Sequence, residues 1–218
     1  MMKKLIISIV FLGCFMLSYS QKDVQFNLYD LFESSRLTIQ NRKLVAIDSL
    51  SRKYIRVSEN GKEGIIWLPI HDFKKGVVKI EMRGKDVLQK SFIGVVFHGQ
   101  DDITYDAVYC RPFNFLAKDS VRRIHAIQYI SHPTYTWKKL REERNGAFEK
   151  EIKNPPNPNG WFTMTLVVEN KVIKAYINDS EVPSLEVEKL TNIKSGKLGI
   201  FVGDGSGGDF ENILIKME

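Results

Sequence analysis

Phe92 to Phe115, FIGVVFHGQDDITYDAVYCRPFNF, sets two β-patterned runs on either side of a polar turn. In Phe92–His98 the odd positions Ile93, Val95 and Phe97 are wholly apolar, whereas the even positions Phe92, Gly94, Val96 and His98 include a glycine and an imidazole. Successive side chains of a strand point to opposite faces, so the pattern predicts one face packed in a core and a second face that meets a ligand. Glycine within a strand also admits close approach to the backbone. In the return run Asp106, Val108 and Cys110 share one side.

Similar runs fill the rest of the chain: Val24–Leu28, Arg36–Gln40, Lys43–Asp48, Lys53–Val57, Gly64–Leu68, Val77–Arg83, Ile124–Ile130, Trp161–Glu169, Val172–Asn178, Lys197–Val202 and Phe210–Lys216. Turn residues such as Glu59-Asn60-Gly61 and Arg83-Gly84-Lys85 separate them, which predicts an all-β sandwich or barrel. One short helix is expected over Thr134–Asn145, where Lys138/Glu142 and Lys139/Glu143 are spaced for ion pairs and Asn145-Gly146 supplies a stop. The proline-rich Asn154–Gly160 must be loop, so Ser131–Gly160 forms a long excursion between strands, either a functional lid or an edge cover.

Residues 1–20 carry Lys3 and Lys4, an apolar run from Leu5 to Leu17, and Ser18-Tyr19-Ser20, the layout of a secretory signal peptide. The expectation is one mature domain over residues 21–218, secreted or periplasmic, with no stable membrane span, since the run falls short of the ~20 apolar residues that a span requires. Lipoprotein anchoring through Cys14 is the weaker alternative, because Phe11 suits that signal poorly. Cleavage would leave Cys110 as the only thiol, read as a small buried residue.

Charge is modest. The formal net of +6 becomes +4 once Lys3 and Lys4 leave with the leader, which does not suggest a nucleic-acid partner. The excess gathers between Arg111 and Arg144, either a solvated face or a dock for an acidic ligand. The segment Gly203–Gly208 matches a dinucleotide fingerprint but leads into a strand, so it is read as a turn. No metal site is expected from the histidines and the lone cysteine; Asp204 and Asp209 leave calcium possible, though two carboxylates are too few on their own.

Gly61–Trp67, the strand Val78–Asp86, and the late Gly160-Trp161-Phe162 followed by Val172–Asn178 resemble the concanavalin A-like lectin and glucanase superfamily. Within it the chain is most similar to secreted domains described as 3-keto-disaccharide hydrolases and to laminin-G-like relatives. The resemblance implies a jelly roll of two antiparallel sheets with carbohydrate in a concave groove. Where the hydrolase pattern has an arginine, a glutamate and a glutamine, this chain has His98, Asp106 and Val108.

No pair of carboxylates at glycosidase spacing stands out, which disfavours ordinary glycoside hydrolysis. A 3-keto-glycoside needs only one base to begin elimination, so Asp106 and His98 are the catalytic candidates, with Arg111 as stabiliser of the enolate. Sugar sites combine flat aromatic faces with planar hydrogen-bonding groups. Tyr109, Arg111, Asn114, Gln128, Tyr129, His132 and Trp137 are the substrate-binding candidates on that ground. Trp67 and Trp161 are read as packing residues. A non-catalytic lectin module and an extracellular scaffold remain the other function classes, and oligomeric state is not legible.

Overall fold

The computed structural model describes residues 22–218, and the expected leader with its Cys14 lies outside them. Two antiparallel sheets stack into a sandwich. The eight-stranded sheet runs, edge to edge, through β13 (Leu185–Glu188), β12 (Val172–Ile177), β11 (Trp161–Val168), β6 (Gly76–Arg83), β15 (Gly208–Met217), β4 (Lys53–Val57) and β3 (Leu44–Asp48). Its remaining strand, β1 (Lys22–Asn27), pairs with the second half of β15. The seven-stranded sheet runs β10 (Glu149–Lys150), β9 (Ile127–His132), β8 (Tyr105–Cys110), β7 (Ile93–Gly99), β14 (Lys197–Val202), β5 (Gly64–Trp67) and β2 (Thr38–Gln40). This is the all-β sandwich that the spacing of short strands predicts, in the two-sheet antiparallel form that the resemblance implies.

The two sheets bury their residues differently. In β6 and β11 burial alternates strictly, with Val78, Ile80, Met82, Phe162, Met164 and Leu166 pointing into the core and Lys79, Glu81 and Thr163 pointing out. Strands β7 and β8 are buried at every position, so the outer face of the seven-stranded sheet is covered as well. On the core side of that sheet lie Val95, Phe97, Val108 and Cys110; on the covered side lie Val96, Ala107, Tyr105, Tyr109 and Phe201. Part of the cover comes from the excursion after β9, which packs back on that strand and buries Leu140.

Four short helices are present among the described residues, where the sequence predicts one. The expected helix forms as α4 (Trp137–Glu143), capped by the Thr136 hydroxyl, and its Lys138–Glu142 and Lys139–Glu143 pairs stand 3.9 and 4.0 Å apart. The other three span six, four and four residues. The Asn27 side chain caps α1 (Leu28–Glu33), ending the first strand one residue earlier than the hydrophobic pattern indicates. Pro112 opens α2 (Pro112–Phe115), and Asp119 accepts from the Val121 N–H to start α3 (Ser120–Arg123). Strands β10 and β13, of two and four residues, are too short to leave a periodic signal.

Candidate functional site

A cleft of about 680 Å³ opens on the covered face of the seven-stranded sheet. Tyr109 of β8 and Phe201 of β14 form its floor, with ring centroids 5.2 Å apart. Phe92 and Phe113, packed edge to face at 5.3 Å, add apolar wall. Trp137, 45 % exposed at the start of α4, lines the rim.

One end of the cleft is basic. Arg111, only 4 % exposed, donates from Nη2 to the Tyr109 hydroxyl at 2.9 Å and to the Gln128 side-chain oxygen, and from Nη1 to the His125 carbonyl at 2.8 Å. Arg141 grips buried Glu149 with two hydrogen bonds, of 3.0 and 2.7 Å. Arg111 approaches the same carboxylate at 3.6 Å, and His125 Nδ1 at 2.8 Å. Arg122 donates to the Asn114 side chain at 3.2 Å and to the Phe113 carbonyl at 2.5 Å. Burial by itself would raise the Glu149 pKa, but the hydrogen bonds and charge of Arg141, with Arg111 and His125, outweigh it and hold the carboxyl below its usual range. Burial pushes His125 down despite Glu149, so its imidazole is neutral near pH 7.

The opposite wall carries Glu63, Lys90 and the turn Gly203-Asp204-Gly205. Glu63 accepts from the Tyr105 hydroxyl at 2.7 Å and lies 3.4 Å from His132 Nδ1. Asp204 accepts from the Lys62 N–H at 2.6 Å, and Gly205 takes a positive φ of 65°, so Gly203–Gly208 is the turn that its sequence context predicts. Asp209 points elsewhere, clasped by Arg56 and Arg83. The two calcium candidates therefore have separate partners, and among the described residues no three His, Cys, Asp or Glu side chains are grouped to hold a metal ion.

Of the expected binding residues, Tyr109, Arg111, Asn114 and Trp137 line the cleft. Gln128 sits directly behind Tyr109 and Arg111, and His132 lies behind Glu63. Tyr129 does not join them. It faces the core, where its hydroxyl donates to Asp106 at 2.9 Å and accepts from the Leu190 N–H. His125, which strand alternation would pair with Tyr129, precedes the first residue of β9 and turns to the cleft instead.

His98 and Asp106 do meet, at 3.3 Å, but both are fully buried between the sheets. The expectation that His98 shares the Gly94 and Val96 face is corrected by a bulge: the register with β14 shifts here, and His98 takes φ +52°, which swings its ring to the core side beside Phe97. Its Nε2 donates to the Lys74 carbonyl at 2.7 Å, and its Nδ1 lies 3.3 Å from Asp106 and 3.2 Å from Lys189 Nζ. Lys189 also donates to the Ile193 carbonyl. This is a buried polar network tying the seven-stranded sheet to the strap after β13, with no exposure to the cleft. Cys110 is likewise inert, because burial pushes its thiol pKa far up. The residues that sequence reasoning missed include Glu63, Glu149 and Phe201, which lie far apart in the chain and share no motif.

No protein-family model matches the chain. A DNA mismatch repair protein of Thermodesulfovibrio yellowstonii is 26 % identical over 166 residues, which is 74 % of this chain but only 16 % of that one, so the likeness is to one segment of a much longer protein. Solved structures show the fold more fully. A galectin-like protein of unknown function from Bacillus subtilis superposes with TM-score 0.60 at 10 % identity, over 91 % of this chain and 98 % of its own. The carbohydrate-binding module CBM66 from the same species gives 0.57 at 15 % identity, over 83 % and 95 %. The VIP36 lumenal domain, bound to calcium and a mannose glycan, gives 0.55 at 12 % identity, over 86 % of each chain. A glycoside hydrolase family 16 endo-glucanase from Bacteroides ovatus gives 0.55 at 8 % identity, over 88 % and 99 %. The fold is thus one shared by carbohydrate-binding and carbohydrate-cleaving proteins.

Proposed function

We propose that the chain is a carbohydrate-binding domain that holds a glycan in the cleft over Tyr109 and Phe201, and that the leader directs it to a secreted or periplasmic location. The observation that carries the reading is the lining: aromatic rings at the floor and rim alternate with the planar hydrogen-bonding groups of Arg111, Asn114, Arg122 and His125. Aromatic faces pack on the C–H side of a sugar ring while such groups bond its hydroxyls. Binding is favoured over hydrolysis, because Glu149 is held ionised by its arginines and so is no proton donor.

One observation supports a second reading, cleavage of a 3-keto-glycoside. His125 is neutral, and with Nδ1 against Glu149 its Nε2 is left as a base at the cleft wall, a position that His98 and Asp106 do not occupy. A thermal-shift and product screen of the purified chain against oligosaccharides and 3-keto-glucosides separates the two. Stabilisation without products supports the binding domain. Released sugar that disappears in His125→Gln supports the enzyme. No shift with any glycan would sink both.

A further inference from the structure

The two ends of the cleft differ in charge, and that difference carries an inference that rests on the carbohydrate reading. At one end three guanidiniums, Arg111, Arg122 and Arg141, line the same wall. A single carboxylate, Glu149, touches them: Arg141 through two hydrogen bonds and Arg111 at 3.6 Å, while Arg122 has only neutral partners, the Asn114 side chain and the Phe113 carbonyl. His125 adds no charge when neutral but donates none of its own to offset the excess. Two positive charges are therefore left over along a wall in which Arg111 is buried and Arg122 and Arg141 are half-buried.

Buried charges are ordinarily paired, since a guanidinium taken out of water without a counter-charge is costly. The side-chain nitrogen of Gln128, wholly buried beside Arg111, also finds no acceptor among the described residues. Arg122 and Arg141 each use Nε and Nη2 in the hydrogen bonds above, which leaves Nη1 of each on the solvent side and open to a ligand. The surplus donors and the surplus charge thus occur together. The other end is opposite in kind: Glu63 and Asp204 stand there with Lys90, a near-neutral set rich in acceptors.

We infer that the cleft is built for an acidic glycan, with a carboxylate or sulfate group of one sugar seated among Arg111, Arg122 and Arg141 and a neutral sugar hydroxyl-bonded to Glu63 and Asp204. Two oxygens of a carboxylate or of a sulfate group match the guanidinium fork, and charge-assisted hydrogen bonds are stronger than neutral ones. Aromatic Tyr109 and Phe201 lie between the two ends, where a sugar ring would stack.

The test is calorimetric titration of the purified chain with three oligosaccharides of similar length: a neutral β-glucan, an oligogalacturonate and a sulfated carrageenan fragment, each at low and high salt. One acidic ligand should bind about tenfold tighter or more than the neutral one, the worth of a single charge-assisted hydrogen bond. Its affinity should fall as salt rises, and Arg122→Gln should bring it to the neutral level with the melting temperature unchanged. Whether uronate or sulfate wins identifies the group. Equal binding of neutral and acidic ligands, or acidic binding indifferent to salt, overturns the inference and leaves the carbohydrate reading standing. Binding of none overturns both. Should Arg122→Gln fail to fold, the comparison of ligands and the salt series on the native chain still decide.

Discussion

A side chain added at Gly94 would place its Cβ 2.1 Å from the Val108 carbonyl oxygen and 2.5 Å from Tyr109 Cα. The close approach that this glycine permits is made by the neighbouring strand, and it lets Tyr109 lie flat at the cleft floor. Gly94→Ala should therefore cost about 1–3 kcal/mol, as forced overpacking does, and lower the melting temperature by roughly 2–4 °C per kcal/mol. A variant that melts like the native chain would show that strand spacing is not set there. The glycine was legible in the sequence; what approaches it was not, because a strand pattern does not name its neighbour. His98 makes the same point more sharply. Alternation assigns it to the Gly94 face, and one bulged residue with positive φ reverses the assignment and removes it from the cleft.

Among the elements, α4 joins structure to site through its two faces. Leu140 is buried against β9, Trp137 stands out at the rim, and Arg141 between them reaches Glu149 on β10. The roles should separate by mutation. Leu140→Ala is expected to cost about 2–4 kcal/mol, the usual range for a buried leucine. Trp137→Ala should leave the melting temperature within about 1 °C and weaken glycan binding, because an exposed ring contributes little to the fold. Equal binding by the Trp137 variant would remove this residue from the site. The helix itself could be read from its charge spacing and stop signal. Its partner strand could not: Glu149-Lys150 is a two-residue edge whose existence depends on β9 being beside it.

For the molecule as a whole, acid should be destabilising, in two stages. His125 and His132 both have pKa values below the ordinary 6.5 or so, burial outweighing Glu149 in the first and Glu63 in the second. Between the depressed values and 6.5 the unfolded chain binds more protons than the folded one, so stability falls as pH drops through that window. The Glu149 contribution is present above its unfolded value near 4.5 and is lost as pH falls through the lower folded value. Melting scans from about pH 7.5 to about pH 2.5 should show this decline, lessened in its first stage by His132→Gln; a flat profile would contradict the burial of these groups. Most long strands were legible here, since Lys53–Val57 and Lys197–Val202 appear with the bounds that alternation gives. The cleft was only partly so, because Glu63, Arg111 and Glu149 come together through the order of strands in the sheet, which no local pattern encodes.

That order has a further consequence in time. Ile215 of β15 lies between Val24 on one side and Val78 on the other, and the same strand's first half pairs with β4. Until Gly208–Met217 has been made, β1, β4 and β6 keep open edges with nothing between them. Long-range pairing of this kind is slow to form, and open edges invite pairing with other chains. The eight-stranded sheet therefore cannot join β1, β4 and β6 until β15 is present to pair with all three.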